Sequence, residues 1–121
     1  MTNRLFTENK NIKENVKNDI FLKQQVERIK SDSEKFANKD IAALTYTSFK
    51  KFYVTGSRKE YEYEYFLHRR RLNDFAMLNI LYDDEKYRLC LQDIIWSILD
   101  EFTWALPAHI PQNTDIENCI T

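Results

Sequence analysis

One glycine and two prolines in 121 residues leave few places for tight turns. A sandwich or barrel of many short strands needs frequent turn signals, so that class is excluded. Long helices need few such residues, and the balance points to an all-α chain. Two cysteines, Cys90 and Cys119, are too few for a disulfide framework and form no C-x-x-C pair. A single glycine cannot build a Gly-rich phosphate loop. No run approaches the roughly 18 apolar residues of a membrane span. Residues 1–8 lack the apolar stretch of a signal peptide. The expectation is a cytoplasmic, reduced protein with no membrane partner and no cofactor.

What is present is enough for a core. Hydrophobic residues make up 43% and charged residues 31%, the balance of a chain that folds. The net charge of -1 hides an asymmetry. Residues 1–60 carry 13 Lys and Arg against 8 Asp and Glu, whereas residues 61–121 carry 5 against 11. The two parts attract when they pack. A nucleic-acid binder shows a clustered basic face and a high pI; here the pI is near 6.1, so nucleic acid is not expected as a partner.

Apolar residues recur at helical spacing. Ile12, Val16, Ile20, Val26 and Ile29, with Phe21 and Leu22 between, predict one stripe on a helix from about residue 8 to 36. A break is expected at Ser31-Asp32-Ser33 or at Asn38-Lys39-Asp40. Residues 41–59 read as a loop or short helix, with a turn at Thr55-Gly56-Ser57-Arg58. Tyr61, Tyr65, His68, Leu72, Phe75, Ala76 and Asn79 share a helical face, predicting a helix over Lys59–Leu81. Asp83-Asp84 supplies a cap for the next helix. That helix is expected to run to Thr103-Trp104 and to bury Tyr87, Leu91, Ile94, Ile95, Ile98, Leu99 and Phe102. Cys90 falls in this pattern as a small core residue. After Pro111 the chain turns polar, which reads as a truncation or a linker.

Four side chains are candidates for a binding site. Trp104 and His109 stand beside Pro107, where an indole face can pack on a sugar ring and an imidazole can bond hydroxyls or carboxylates. The alternative is a core tryptophan and an ordinary loop histidine. Arg70 and Arg71 belong to the run Arg69-Arg70-Arg71, whose members fan across roughly 200° of a helix. One or two can face an anion through the planar guanidinium fork; the alternative is pairing with Glu62, Glu64, Asp74 or Glu101. Asp93 and Asp100 lie two turns apart, too far to act as paired carboxylates. His68 and His109 lack a third metal ligand, so no metal is expected.

Three stretches together carry a resemblance. They are Tyr65-Phe66-Leu67-His68-Arg69-Arg70-Arg71-Leu72-Asn73-Asp74-Phe75-Ala76, then Asp84-Glu85-Lys86-Tyr87, then Asp100-Glu101-Phe102-Thr103-Trp104-Ala105-Leu106-Pro107-Ala108-His109. This pattern resembles the N-terminal part of heparinase II/III-like proteins over about residues 45–110. The E-x-T-W-x-L-P-A-H end is its specific part. The resemblance implies a polysaccharide lyase that cleaves acidic, uronic-acid-containing polysaccharide or oligosaccharide by β-elimination. It implies the first antiparallel helices of an incomplete α/α toroid, with the rest of the toroid, a β-sandwich domain and the catalytic Tyr and His lying past Thr121. It makes Trp104 and His109 cleft-wall residues and Arg70 or Arg71 contacts to the acidic sugar. Residues 1–121 then form a single helical domain or fragment, inactive alone and open to self-association. Two alternatives are a stand-alone helical protein-interaction domain and a non-catalytic carbohydrate-binding module.

Overall fold

A computed structural model describes residues 11–110 except Ile12. The expectations for residues 1–10, for the polar tail after Pro111 and for Cys119 lie outside the described residues. Helical backbone over residues 13–18 ends at Asp19. Four further helices follow: α1 (Ile20–Ala37), α2 (Tyr46–Thr55), α3 (Lys59–Leu81) and α4 (Glu85–Leu99), then a short 3-10 turn at Pro107–His109. No strand occurs among the described residues, so the all-α class holds. No helix there is long and apolar enough to cross a membrane.

The helix starts follow from short polar side chains. Asp19 accepts from the amides of Phe21 and Leu22, Thr45 from Ser48, and Asp84 from Lys86. Each satisfies a donor that the first turn leaves free. Gly56 ends α2 at φ 74°, a left-handed conformation that glycine adopts without a Cβ penalty. Two sequence expectations need correction here. The helix expected over about residues 8–36 is interrupted at Asp19, whose side chain restarts it as a cap; it then runs through Ser31–Ser33 and ends at Ala37 with Asn38 as C-cap, the second of the two expected break points. Its stripe is therefore not continuous. Val26 is buried and Ile29 reaches the core, while Ile20 and Phe21 lie exposed beside the cap.

α3 and α4 form the central hairpin. The Asn79 side-chain amide donates to Phe75 O (2.8 Å) and to Tyr87 O (2.7 Å), tying the end of one helix to the start of the other. Glu101 just past α4 meets His68 and Arg69 near the middle of α3, so the two run antiparallel. α1 lies across both. Glu34 meets Lys86 and Tyr87, Ala37 meets Cys90, and Asp32 meets Arg70. These partners advance together along α1 and α4, so α1 is parallel to α4. The core holds Phe75, Leu78, Tyr87 and Ile94, flanked by Ile29, Ile41, Leu72, Leu91 and Ile98. A second cluster, Phe49, Tyr61 and Leu106, joins α2, α3 and the 3-10 turn.

α4 is shorter and less buried than expected. It ends at Leu99, with Asp100 as its C-cap, and does not reach Thr103-Trp104. Tyr87 and Ile94 are buried, and Leu91 and Ile98 pack on the core. Ile95, Leu99 and Phe102 are exposed. α1 and α3 cover one side of α4 only, which leaves the other without a neighbour among the described residues.

Candidate functional site

The end of α4 is held by a buried charged knot. The Asp100 amide donates to Ile98 O and Trp96 O, and the Glu101 amide to Ile98 O at 3.2 Å. The chain then leaves the helix and the Glu101 side chain, 2% exposed, drops against α3. Arg69 donates to both carboxylate oxygens, each at 2.7 Å. This is the two-pronged geometry that guanidinium and carboxylate favour. His68 Nδ1 lies 2.8 Å from Glu101 Oε1, and Nε2 lies 2.7 Å from Ala42 O. Both ring nitrogens thus face acceptors. Neither is open to take a proton from a substrate, so the dyad works as a clamp between α3, the 41–44 connector and the segment after α4.

Aromatic rings complete the clamp. The Arg69 guanidinium sits 3.6 Å from the centroid of Tyr65. Burial pulls the Arg69 pKa down, but the bonds and charge of Glu101 outweigh this and the net shift is upward. Burial, reinforced by the charge of Glu101, pushes the Tyr61 hydroxyl to about 12. A low-dielectric surround strengthens each of these interactions and makes the loss of any partner costly.

The clamp presents the following loop. The Tyr65 hydroxyl donates to Trp104 O (2.8 Å), and Trp104 Nε1 donates to Ile98 O (2.9 Å). The Tyr53 hydroxyl donates to Pro107 O at 3.0 Å, and Leu106 is buried between Phe49 and Tyr61. Trp104 is nevertheless 59% exposed. Its N–H is already bonded, so a ring face remains as its contact surface. It is therefore not a core anchor. His109 is exposed at the end of the 3-10 turn.

The two candidate arginines have separate surroundings. Arg70 is exposed, bonds Asp32 (3.0 Å) and lies 3.9 Å from Asp74, and borders a shallow surface with Tyr63 and Phe66. Arg71 is 6% exposed and lies over the Phe36 ring, 4.7 Å from its centroid. It lines a different concavity, with Phe36, Ile41, Phe75, Cys90 and Trp96. Thus the four candidates occupy three distinct places: the 100–110 loop for Trp104 and His109, and one concavity for each arginine. Asp93 and Asp100 are both exposed. No group of three or more His, Cys, Asp or Glu that could hold a metal occurs among the described residues.

Sequence reasoning missed the His68–Glu101 contact. His68 on the buried face of α3 was a signal that it needed two polar partners, but nothing local names Glu101, 33 residues away, as one of them. No protein-family model matches the chain, and no curated protein or solved structure matches it either.

Proposed function

We propose that this chain is the N-terminal helical part of a lyase that cleaves acidic, uronic-acid-containing polysaccharide or oligosaccharide by β-elimination, with the 100–110 loop as a wall of the substrate cleft. One observation carries the reading. The E-x-T-W-x-L-P-A-H segment is the segment that the Glu101 clamp holds, and it offers an open indole face at Trp104. Binding groups tend to sit on loops positioned by a rigid scaffold. A flat aromatic face packs on the C–H groups of a sugar ring, and His109 nearby can bond hydroxyls or a carboxylate. The role of these residues is binding. His68, with both nitrogens engaged, is not the base, and the acid and base would come from later helices of the toroid. Those helices would also cover the open side of α4.

The test is a fluorescence titration with a uronate-containing oligosaccharide in a Trp96→Phe background, where Trp104 is the remaining indole. Saturable quenching that Trp104→Ala abolishes is expected. A flat titration overturns the reading.

A second reading, a helical docking domain, is favoured by a different observation. Leu89, Trp96, Leu99 and Phe102 are all exposed on or just after α4. Such side chains gathered on one element mark a contact surface more often than isolated ones do. This reading predicts self-association that Trp96→Ser with Leu99→Ser abolishes and that acidic sugars leave unchanged, as sedimentation would show.

A further inference from the structure

We propose that the concavity around Arg71 binds a small, singly charged organic carboxylate with a flat apolar body. It lies where the C-terminal end of α1 and the 39–41 connector meet α3 and α4, and has a volume of about 270 Å³. That is near the lower end for ligand pockets, which run from roughly 300 Å³ upward.

The carrying observation is the state of Arg71. Its side chain is nine-tenths buried, yet among the described residues no hydrogen bond or ion pair reaches its guanidinium. Nε is buried and has no acceptor. Among the described residues its guanidinium lies over the face of Phe36. Glu64 acts on it through space without forming an ion pair, and burial is the main influence, lowering its pKa. Buried guanidinium groups are ordinarily paired, because desolvation without an acceptor is expensive.

The remaining lining sets the ligand's chemistry. Phe36, Phe75, Ile41 and Trp96 give flat and apolar walls around the fork. A carboxylate matches that fork with two parallel bonds. Lys39 adds a second positive charge, but Asp40 and Asp93 also border the space and oppose a doubly charged phosphate or sulfate. The site does not rest on the lyase reading. Arg71 borders this concavity and not the loop of Trp104.

Benzoate is a suitable probe, titrated into the isotopically labelled protein and followed by NMR at the Arg71 Nε–H and the Trp96 indole N–H. Saturable shifts at both are expected from benzoate, with little response to benzyl alcohol, which lacks the charge, or to sulfate, which carries two. Arg71→Met should weaken benzoate binding about tenfold or more, the loss of at least one charged hydrogen bond. Trp104→Ala, which probes the sugar-binding loop, should leave benzoate binding intact. No saturable shift, an equal response to benzyl alcohol or sulfate, or wild-type affinity in Arg71→Met would each overturn the proposal. If Arg71→Met does not fold, the three-probe comparison on the unaltered protein decides alone, and Trp96→Ala at the exposed rim should weaken benzoate binding.

Discussion

Arg69 and Arg71 stand two positions apart on the same helix, the first partly and the second almost wholly withdrawn from solvent, yet they meet opposite surroundings. Arg69 finds a carboxylate with both prongs and a tyrosine ring beneath it. Arg71 finds an aromatic face and, among the described residues, no acceptor for its buried Nε. Two helical steps rotate a side chain by about 200°, so the first points to the segment after α4 and the second to the end of α1. Burial alone therefore says little about a charge. The partner decides whether it locks the fold or keeps its donors for something else.

The sharpest way to break this contrast is to remove the partner. Glu101→Ala removes the carboxylate that both prongs of Arg69 and the Nδ1 of His68 face, and should cost about 3–5 kcal/mol. Chemical denaturation checks this, and loss below about 1 kcal/mol would show that the knot is not a clamp. The 100–110 loop should become more open to proteases in the same variant.

Alkaline pH attacks the clamp at Tyr61 and the start of α4 at Tyr87, with a smaller effect. Burial first, and then neighbouring carboxylates, Glu101 for Tyr61 and Glu34 for Tyr87, push both hydroxyls to about 12. The folded state thus holds these protons more tightly than the unfolded chain, whose tyrosines titrate near 10. The stabilisation is complete below about pH 10 and is lost as pH rises towards 12. Melting temperature across that window, with tyrosinate absorbance followed in parallel, tests it. Tyr61 and Tyr87 are expected to ionise last, with Tyr53, which burial also raises, later than an ordinary tyrosine.

Arg71→Met sharpens the comparison from the other side. It removes a buried charge with no acceptor while keeping a flexible side chain against Phe36, and should raise stability by about 1–2 kcal/mol. The matched change Arg69→Met should lower it, so opposite signs in thermal melts are the expected result. Smallest of all, Arg70→Ala removes an exposed pair with Asp32 and should shift stability by no more than about 1 kcal/mol.

Parts of the fold were legible because their causes are local. The helix over Lys59–Leu81 has the expected bounds, since residues at helical spacing run from the Gly56 turn to the Asp83-Asp84 cap without a breaker. The Asp84 cap and the turn at Gly56 are as expected for the same reason. The end of α4 was misjudged because the apolar pattern continues through Leu99 and Phe102 although the helix does not. Glu101 is drawn back to Arg69 and His68 over more than thirty residues, and periodicity does not report such a contact. The burial of Ile95, Leu99 and Phe102 was misjudged because a stripe states which residues could be covered, not whether a neighbour is there to cover them.

The candidate site divides in the same way. That a tryptophan and a histidine follow the helix, and that three arginines fan around another, is written in the order of residues. Pairing with Glu101 or Asp74 was an open alternative for the arginines, and the structure assigns Arg69 to Glu101 and Arg70 to Asp32 and Asp74.

The sequence by itself determined the all-α class, the starts of α3 and α4 and the buried side of α3 along Tyr61, His68 and Phe75, because turn chemistry, capping and periodicity act within a few residues. Only the tertiary structure decided which arginine is paired, which apolar face is covered and where α4 stops. Those outcomes depend on groups brought together from 30 or more residues apart, where charge, burial and shape must be satisfied at once.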